Sequence, residues 1–167
     1  MGAQNHMTLI VSGKIAPDFS LKGVDAKQYS LKELRGNGPV VAAFFKVSCP
    51  VCQFTFPFLE RLYKTYGGTF LGISQDDVRA SQEFARECGV TFPIAVDDKG
   101  YPVSNAYALT MVPTIFLIDT DGTTKISSMG FDKRELESVA AELAAKRKLA
   151  PTALFRAGEN IPAHRPG

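Results

Sequence analysis

Tryptophan is absent from this 167-residue chain, cysteine occurs only three times, histidine only twice, and neither sign of charge dominates. Each scarcity excludes something. Three cysteines are too few for a disulfide scaffold. A zinc site built on Cys49 and Cys52 would need a second ligand pair, and the remaining candidates, Cys88, His6 and His164, are not spaced as one. Nineteen basic against seventeen acidic residues leave a net charge of +2, too near balance for nucleic acid or an anionic membrane surface to be the main partner. No apolar run approaches the roughly 20 residues a membrane helix requires, so no membrane span is expected. The N-terminus shows no basic, apolar and small-residue succession of a secretory signal. Residues 1–7 read as a leader ahead of a native start at Met7. The expected location is the cytoplasm as the chain stands, or the periplasm where an export signal has been removed.

What is present is 45% hydrophobic and 22% charged sequence with 14 glycines and 10 prolines, the composition of one globular domain. That domain is expected over 8–148. It is followed by a flexible or loosely docked tail, 149–167, that carries three prolines and no periodicity. An N-terminal hairpin or extended pair is read over 8–35, with Ser30 and Glu33 at capping-box spacing. Val40–Phe45 is a continuous apolar run of strand length, fit for burial on both faces of a sheet. From Pro50 to Tyr66 the apolar residues recur at three- and four-residue intervals, which predicts a core-facing helix ending at Gly67-Gly68 and kinked at Pro57.

Further strands are expected at 70–74, 93–96, 114–118 and 125–129. Helices are expected at 79–88, weakly at 101–109, and from about Asp132 to Lys148. The alternation predicts an α/β fold with a mixed sheet flanked by helices.

The pair Cys49-Pro50-Val51-Cys52 is the informative feature. A thiolate is the working nucleophile of disulfide exchange, and an ordinary cysteine is only a few per cent ionised at neutral pH. Cys49 falls at the N-cap of the predicted helix, with Pro50 at its first position, where proline's missing N–H costs nothing. Free backbone N–H groups and the positive end of the macrodipole favour an anion there. Cys52 lies one turn further in, less ionised but within reach of a mixed disulfide on Cys49. Cys49 is therefore expected to attack and Cys52 to resolve.

Together, the apolar strand, the Cys49–Cys52 motif, Pro57 in the following helix and Val112-Pro113-Thr114 before a late strand resemble the thioredoxin superfamily. Ala16-Pro17-Asp18-Phe19, Phe70–Ser74, Phe84–Pro93 and Pro113–Asp119 are similar to its redoxin branch, which holds TlpA/ResA-type thiol-disulfide oxidoreductases and the AhpC/TSA peroxiredoxins. The resemblance spans about 16–147. It implies a thioredoxin-like three-layer fold with an N-terminal hairpin, and a thiol-disulfide oxidoreductase that needs no cofactor and works as a monomer. Its implied partners are protein disulfide or dithiol substrates and an upstream thiol reductant or oxidant.

The resemblance also implies a cis Val112-Pro113 bond facing the cysteines. Pro50, Val51, Val112 and Pro113 would form the substrate-binding surface, with the Val112 backbone left free for an extended substrate strand. Where thioredoxins carry Trp before the first cysteine, this chain has Ser48, and Ala43 stands at the place of their buried acid. Thr55 stands where ResA-type proteins often carry Glu. Lys46 and Thr55 are the candidates left to tune the cysteines. A peroxiredoxin-like thiol peroxidase is the alternative, although Ala42 and Lys46 occupy the positions of that family's upstream proline and Thr or Ser. Cys88 could then be a distal resolving thiol, but is expected to be structural. A non-catalytic redoxin module that binds partners through the same surface is the third reading.

Overall fold

The computed structural model describes residues 12–167. The expected leader, the apolar start at 9–11 and His6 lie outside the described residues. In chain order the elements are β1 (Ser20–Lys22), β2 (Gln28–Ser30), α1 (Leu31–Leu34), β3 (Val40–Phe45), α2 (Pro50–Tyr66), β4 (Thr69–Ser74) and α3 (Val78–Cys88). They continue with β5 (Ile94–Val96), α4 (Pro102–Ala106), β6 (Thr114–Ile118), β7 (Thr124–Met129), β8 (Phe131–Asp132), α5 (Lys133–Lys146) and β9 (His164–Arg165).

Six apolar residues in a row cannot form a half-exposed strand, and β3 accordingly lies at the centre of a five-stranded sheet of order β5-β4-β3-β6-β7. It runs parallel to β4 and antiparallel to β6. No residue of β3 is more than 1% exposed. Val41, Ala43 and Phe45 face the cluster formed with α2, α3 and α5. Val40, Ala42 and Phe44 face the opposite cluster, where Phe19, Leu31 and Tyr107 cover the sheet. The N-terminal hairpin is β1 paired antiparallel with β2, and the Ser30 hydroxyl at its end caps α1 by accepting the Glu33 N–H at 3.2 Å. This is the expected three-layer arrangement.

Helix α2 is continuous from Pro50 to Tyr66 with Pro57 inside it. Each neighbouring helix has its stop or start in a side chain or a glycine. Asp77 caps α3, accepting from the Ala80 N–H at 2.8 Å, and Gly89 ends it in the left-handed conformation at φ 69°. The shorter α4 is nucleated by buried Asp97, whose carboxylate accepts from the Val103 and Ser104 N–H groups at 3.2 and 2.8 Å.

The segment after α5 sharpens an expectation. Residues 149–167, expected to be flexible or loosely docked, rest on the domain through several side chains. Leu154 is buried, and Phe155 and Ile161 pack on the main cluster. Arg61 on α2 donates to the Leu154 carbonyl at 2.9 Å and clasps both Glu159 oxygens at 2.8 and 3.0 Å. β9 then pairs antiparallel with β8, Phe131 opposite Arg165 and Asp132 opposite His164. The apolar anchors fall at irregular spacing, so no periodicity announced them.

The Arg61 hydrogen bonds hold the Glu159 carboxyl down to about 2, against an ordinary 4.5. A depressed folded-state value means the contact contributes fully above the unfolded value and is lost as pH falls from about 4.5 through about 2. Glu159→Gln is therefore expected to speed amide exchange across 152–165 while sheet amides keep their protection. The parent protein should lose the same protection over that acid range once intrinsic rates are corrected. Equal exchange in the two proteins at neutral pH would show that the clasp holds nothing.

Candidate active site

Because β3 is immobilised on both faces, the loop that leaves it, Lys46-Val47-Ser48, starts from a fixed point. It is also tied down from both sides. The Val47 N–H donates to Asp76 Oδ2 at 2.8 Å, and Gln53 Nε2 donates to the Val47 carbonyl at 2.9 Å. The Cys49 N–H donates to the Lys46 carbonyl at 3.3 Å. Asp76 and Gln53 were not singled out from sequence. With Asp77 already capping α3, the adjacent Asp76 was a spare carboxylate, and that is the signal that could have found it.

Cys49 is the N-cap of α2, in the extended conformation, with Pro50 at the first helical position as predicted. Its sulfur accepts the Cys52 N–H at 3.2 Å, so an otherwise orphaned helix donor points at the reactive atom. On its other side the Cys49 thiol lies 3.5 Å from the Val112 carbonyl, to which it donates. Cys49 is half-buried and Cys52 fully buried, and both are free thiols.

Burial is the first cause that pushes the Cys52 thiol far above the ordinary cysteine range. Its hydrogen bond to the Cys49 sulfur adds to that, and the negative charge of an ionised Cys49 adds more, while the Lys46 backbone acts in the opposite direction. The pair is thus asymmetric: one accessible sulfur facing helix donors, one neutral thiol beneath it.

The remaining candidates fall out as follows. The Val112-Pro113 bond is cis. Its loop is fixed by the Thr114 hydroxyl donating to the Met111 carbonyl at 2.8 Å and by the Gly130 N–H donating to the Pro113 carbonyl at 2.8 Å. Pro50 is exposed, Val51 half-buried and Pro113 buried. Gly167 lies against the Val112 carbonyl so closely that a Cβ on it would have no room. Thr55 is buried and donates its hydroxyl to the Val51 carbonyl at 2.6 Å, a bond within its own helix.

The Lys46 side chain is exposed and, with Gln75, Thr110, Met111 and Val112, lines a groove of about 200 Å³ beside the cysteines. Ala42 faces the opposite core from α2, away from the cysteine pair. Ala43 lies in the same cluster as Cys52, so a methyl group stands where a carboxylate would otherwise reach the buried thiol. Cys88 is half-buried at the end of α3 and packed on the main cluster, and burial raises its thiol too.

Residues 12–126 match the model of the AhpC/TSA family. Among curated proteins, the thiol-disulfide oxidoreductase ResA of Geobacillus thermodenitrificans is 34% identical over 122 residues, covering 71% of this chain and 69% of that one. Among solved structures, the thioredoxin domain of a thiol-disulfide oxidoreductase from Bacteroides vulgatus superposes with a TM-score of 0.68 at 21% identity, over 78% of this chain and 96% of that one. Peroxidoxin BcpB from Mycobacterium tuberculosis superposes with a TM-score of 0.66 at 22% identity, over 83% and 97%. The fold is therefore common to disulfide and peroxide chemistry, and the side chains have to separate them.

In the reduced protein at neutral pH, iodoacetamide is expected to modify Cys49 more than about tenfold faster than Cys52 or Cys88, as exposure and thiolate access dictate. Site-resolved peptide mass spectrometry checks this. Faster labelling of Cys52 would reverse the two positions' chemistry.

Proposed function

The chain belongs to the AhpC/TSA family and is a thiol-disulfide oxidoreductase, and from that premise we propose that it exchanges disulfides with protein substrates, with Cys49 attacking and Cys52 resolving. The observation that carries this reading is the Cys49 sulfur, held between the Cys52 N–H at 3.2 Å and the Val112 carbonyl at 3.5 Å, above a buried second thiol.

The Cys49 thiolate attacks one sulfur of a client disulfide, forming a mixed disulfide and releasing the other client sulfur as a thiolate, which takes a proton from solvent. At that point Cys49 no longer carries a negative charge and no longer accepts the Cys52 hydrogen bond as an anion. Two of the effects that keep Cys52 protonated disappear together. Cys52 loses its proton, attacks the Cys49 sulfur and expels the second client thiolate. Two electrons have passed to the client, and the chain holds a Cys49–Cys52 disulfide that an upstream dithiol must reduce. In a reducing compartment such as the cytoplasm the cycle runs in this direction. In an oxidising one, such as the periplasm, the same steps reversed would oxidise client dithiols.

Thr55 is turned to its own helix and Lys46 contributes backbone, so proton transfer in this reading goes through water rather than through either side chain. Val112, whose carbonyl lies 3.5 Å from the attacking sulfur, and the Pro113 that follows it position the client chain in this reading.

Peroxide reduction would need polar groups that bind and polarise an O–O bond next to Cys49. Ala42 is buried on the far face of β3, and Lys46 is exposed at the mouth of a groove. Reduced protein is expected to reduce insulin disulfides in a Cys49-dependent way, and Cys52→Ser to accumulate mixed disulfides that Cys49→Ser does not form. Cys88→Ala should keep turnover within about twofold, as an inert buried thiol would. The reaction of the reduced parent protein with hydrogen peroxide, followed by stopped flow, should be no faster than that of an ordinary thiolate. A rate orders of magnitude higher, abolished by Cys49→Ser, would overturn the proposal in favour of a peroxidase.

A further inference from the structure

The chain's own residues 163–167 run as a short strand along β8 and end against the Val112 carbonyl beside Cys49. Residues 163–165 extend β8 antiparallel: the Ala163 carbonyl accepts from the Lys133 N–H at 2.9 Å, His164 stands opposite Asp132, and Arg165 opposite Phe131. Past Arg165 the backbone closes over Gly130, which lies so near the Arg165 carbonyl, Pro166 Cα and Gly167 N that no Cβ would fit there. Gly130 meets this approach at φ 71°, a conformation glycine adopts without cost. The chain then reaches Gly167, pressed on the Val112 carbonyl, the same oxygen that lies 3.5 Å from Cys49 Sγ. The Arg165 guanidinium sits 4.4 Å from the centre of the Phe54 ring, two residues past Cys52 on α2, and Phe54 in turn meets Phe131 edge-on at 4.9 Å.

The two parts of the tail differ in how they are held. Residues 154–161 are anchored by buried Leu154, by Phe155 and Ile161, and by the Arg61–Glu159 clasp. Residues 163–167 are all exposed and rest on a short ladder and one cation–π contact. A client cysteine that reacts with Cys49 must bring its own backbone past Val112, since Val112 is the main-chain group beside the attacking sulfur. Client strand and tail compete for the same few ångströms.

We infer that residues 163–167 are a displaceable strap that occupies the client edge of the site, so that clients bind by exchanging with it. The inference rests on the disulfide-exchange reading of the cysteine pair. It also describes what the edge accepts: an extended segment with a cationic side chain over Phe54 and a residue without bulk against Val112.

Two substitutions in the full chain loosen the strap from opposite ends of this contact. Arg165→Ala removes the cation–π contact, and Gly167→Val adds a side chain where none fits. Each is expected to raise kcat/KM for insulin disulfide reduction, Arg165→Ala by about two- to fivefold, the size of one exposed cation–π contact. Each should also speed modification of Cys49 by a bulky maleimide, read by peptide mass. A peptide of sequence IPAHRPG added to the double variant should inhibit it competitively with insulin.

Unchanged or lower insulin kcat/KM in both variants, or Cys49 modification no faster than the parent's, overturns the strap. Faster modification of Cys49 without any Cys49-dependent insulin reduction, in parent or variants, upholds the strap as a cover and overturns disulfide exchange instead. Circular dichroism melts of the variants separate displacement from unfolding. A variant that melts early is replaced in the comparison by the other.

Discussion

Burial of β3 on both faces is the constraint from which the rest of the molecule follows. A strand that loses both faces to apolar contacts cannot slip by one residue, because a slip would exchange the Val41-Ala43-Phe45 face with the Val40-Ala42-Phe44 face and mismatch two differently shaped cores. Register with β4 and β6 is therefore fixed, and so is the point at which the chain leaves the sheet. Everything reactive hangs from that point. Four residues after Phe45, Cys49 turns into α2, and its sulfur is placed through Cys52 N–H, Lys46 O, and Val47 held by the Asp76 and Gln53 side chains. Phe45, the last residue of the strand, meets Phe56 at a tilt and stacks on Phe84, with ring centres 4.5 Å away in each case, so the root of the active-site loop is clamped by α2 and α3 together.

In the proposed cycle, the same burial gives the cysteine pair its division of labour. Cys52 shares a cluster with Ala43, Phe56 and Leu59, and taking it out of water disfavours its thiolate more than any other effect. A second thiol kept neutral until its partner has reacted leaves the first attack to Cys49 and so orders the two steps. The ordering requires no acid or base side chain, because the change in charge on Cys49 is itself the signal. This accounts for a site that functions with alanine at position 43 and threonine at position 55. The carboxylates that could carry protons elsewhere are committed to structure: Glu60 accepts from Thr91 N–H and hydroxyl at 2.8 and 2.7 Å, and Asp97 caps α4.

The sequence carried the central features of the site because they are local. A strand of six apolar residues, a cysteine at an N-cap before proline, and helical periodicity up to paired glycines each announce themselves within a dozen residues, and all three stand where they were expected. What escaped was non-local or aperiodic. Asp76 reaches back 29 positions to Val47, and no pattern within either segment records that bond. The tail escaped for a related reason: Leu154, Phe155 and Ile161 follow neither a helical nor a strand period, while its prolines and exposed charges match the composition of a disordered extension. Composition measured how little regular structure the tail has. It carried no information about the surface waiting for it, which is assembled from α2, α5 and β8.

That surface changes how the division between fold and chemistry should be drawn. The sheet and its helices are common to a thiol-disulfide oxidoreductase domain and a peroxidoxin, with TM-scores of 0.68 and 0.66, so the scaffold does not choose between the two reactions. The choice falls to a handful of side chains at the end of β3 and to what is allowed to approach Cys49. A peroxide is small enough to reach a half-buried sulfur through a narrow opening, whereas a protein disulfide must arrive with its flanking backbone. Covering the Val112 edge with a short exposed strand therefore bears on protein clients far more than on small oxidants. A buried, side-chain-packed cover would have closed the site to both. The strap at 163–167 is held weakly where it crosses the site and firmly upstream, at Leu154, Phe155, Glu159 and Ile161, so an arriving strand can lift it without unfolding the segment that holds it in place.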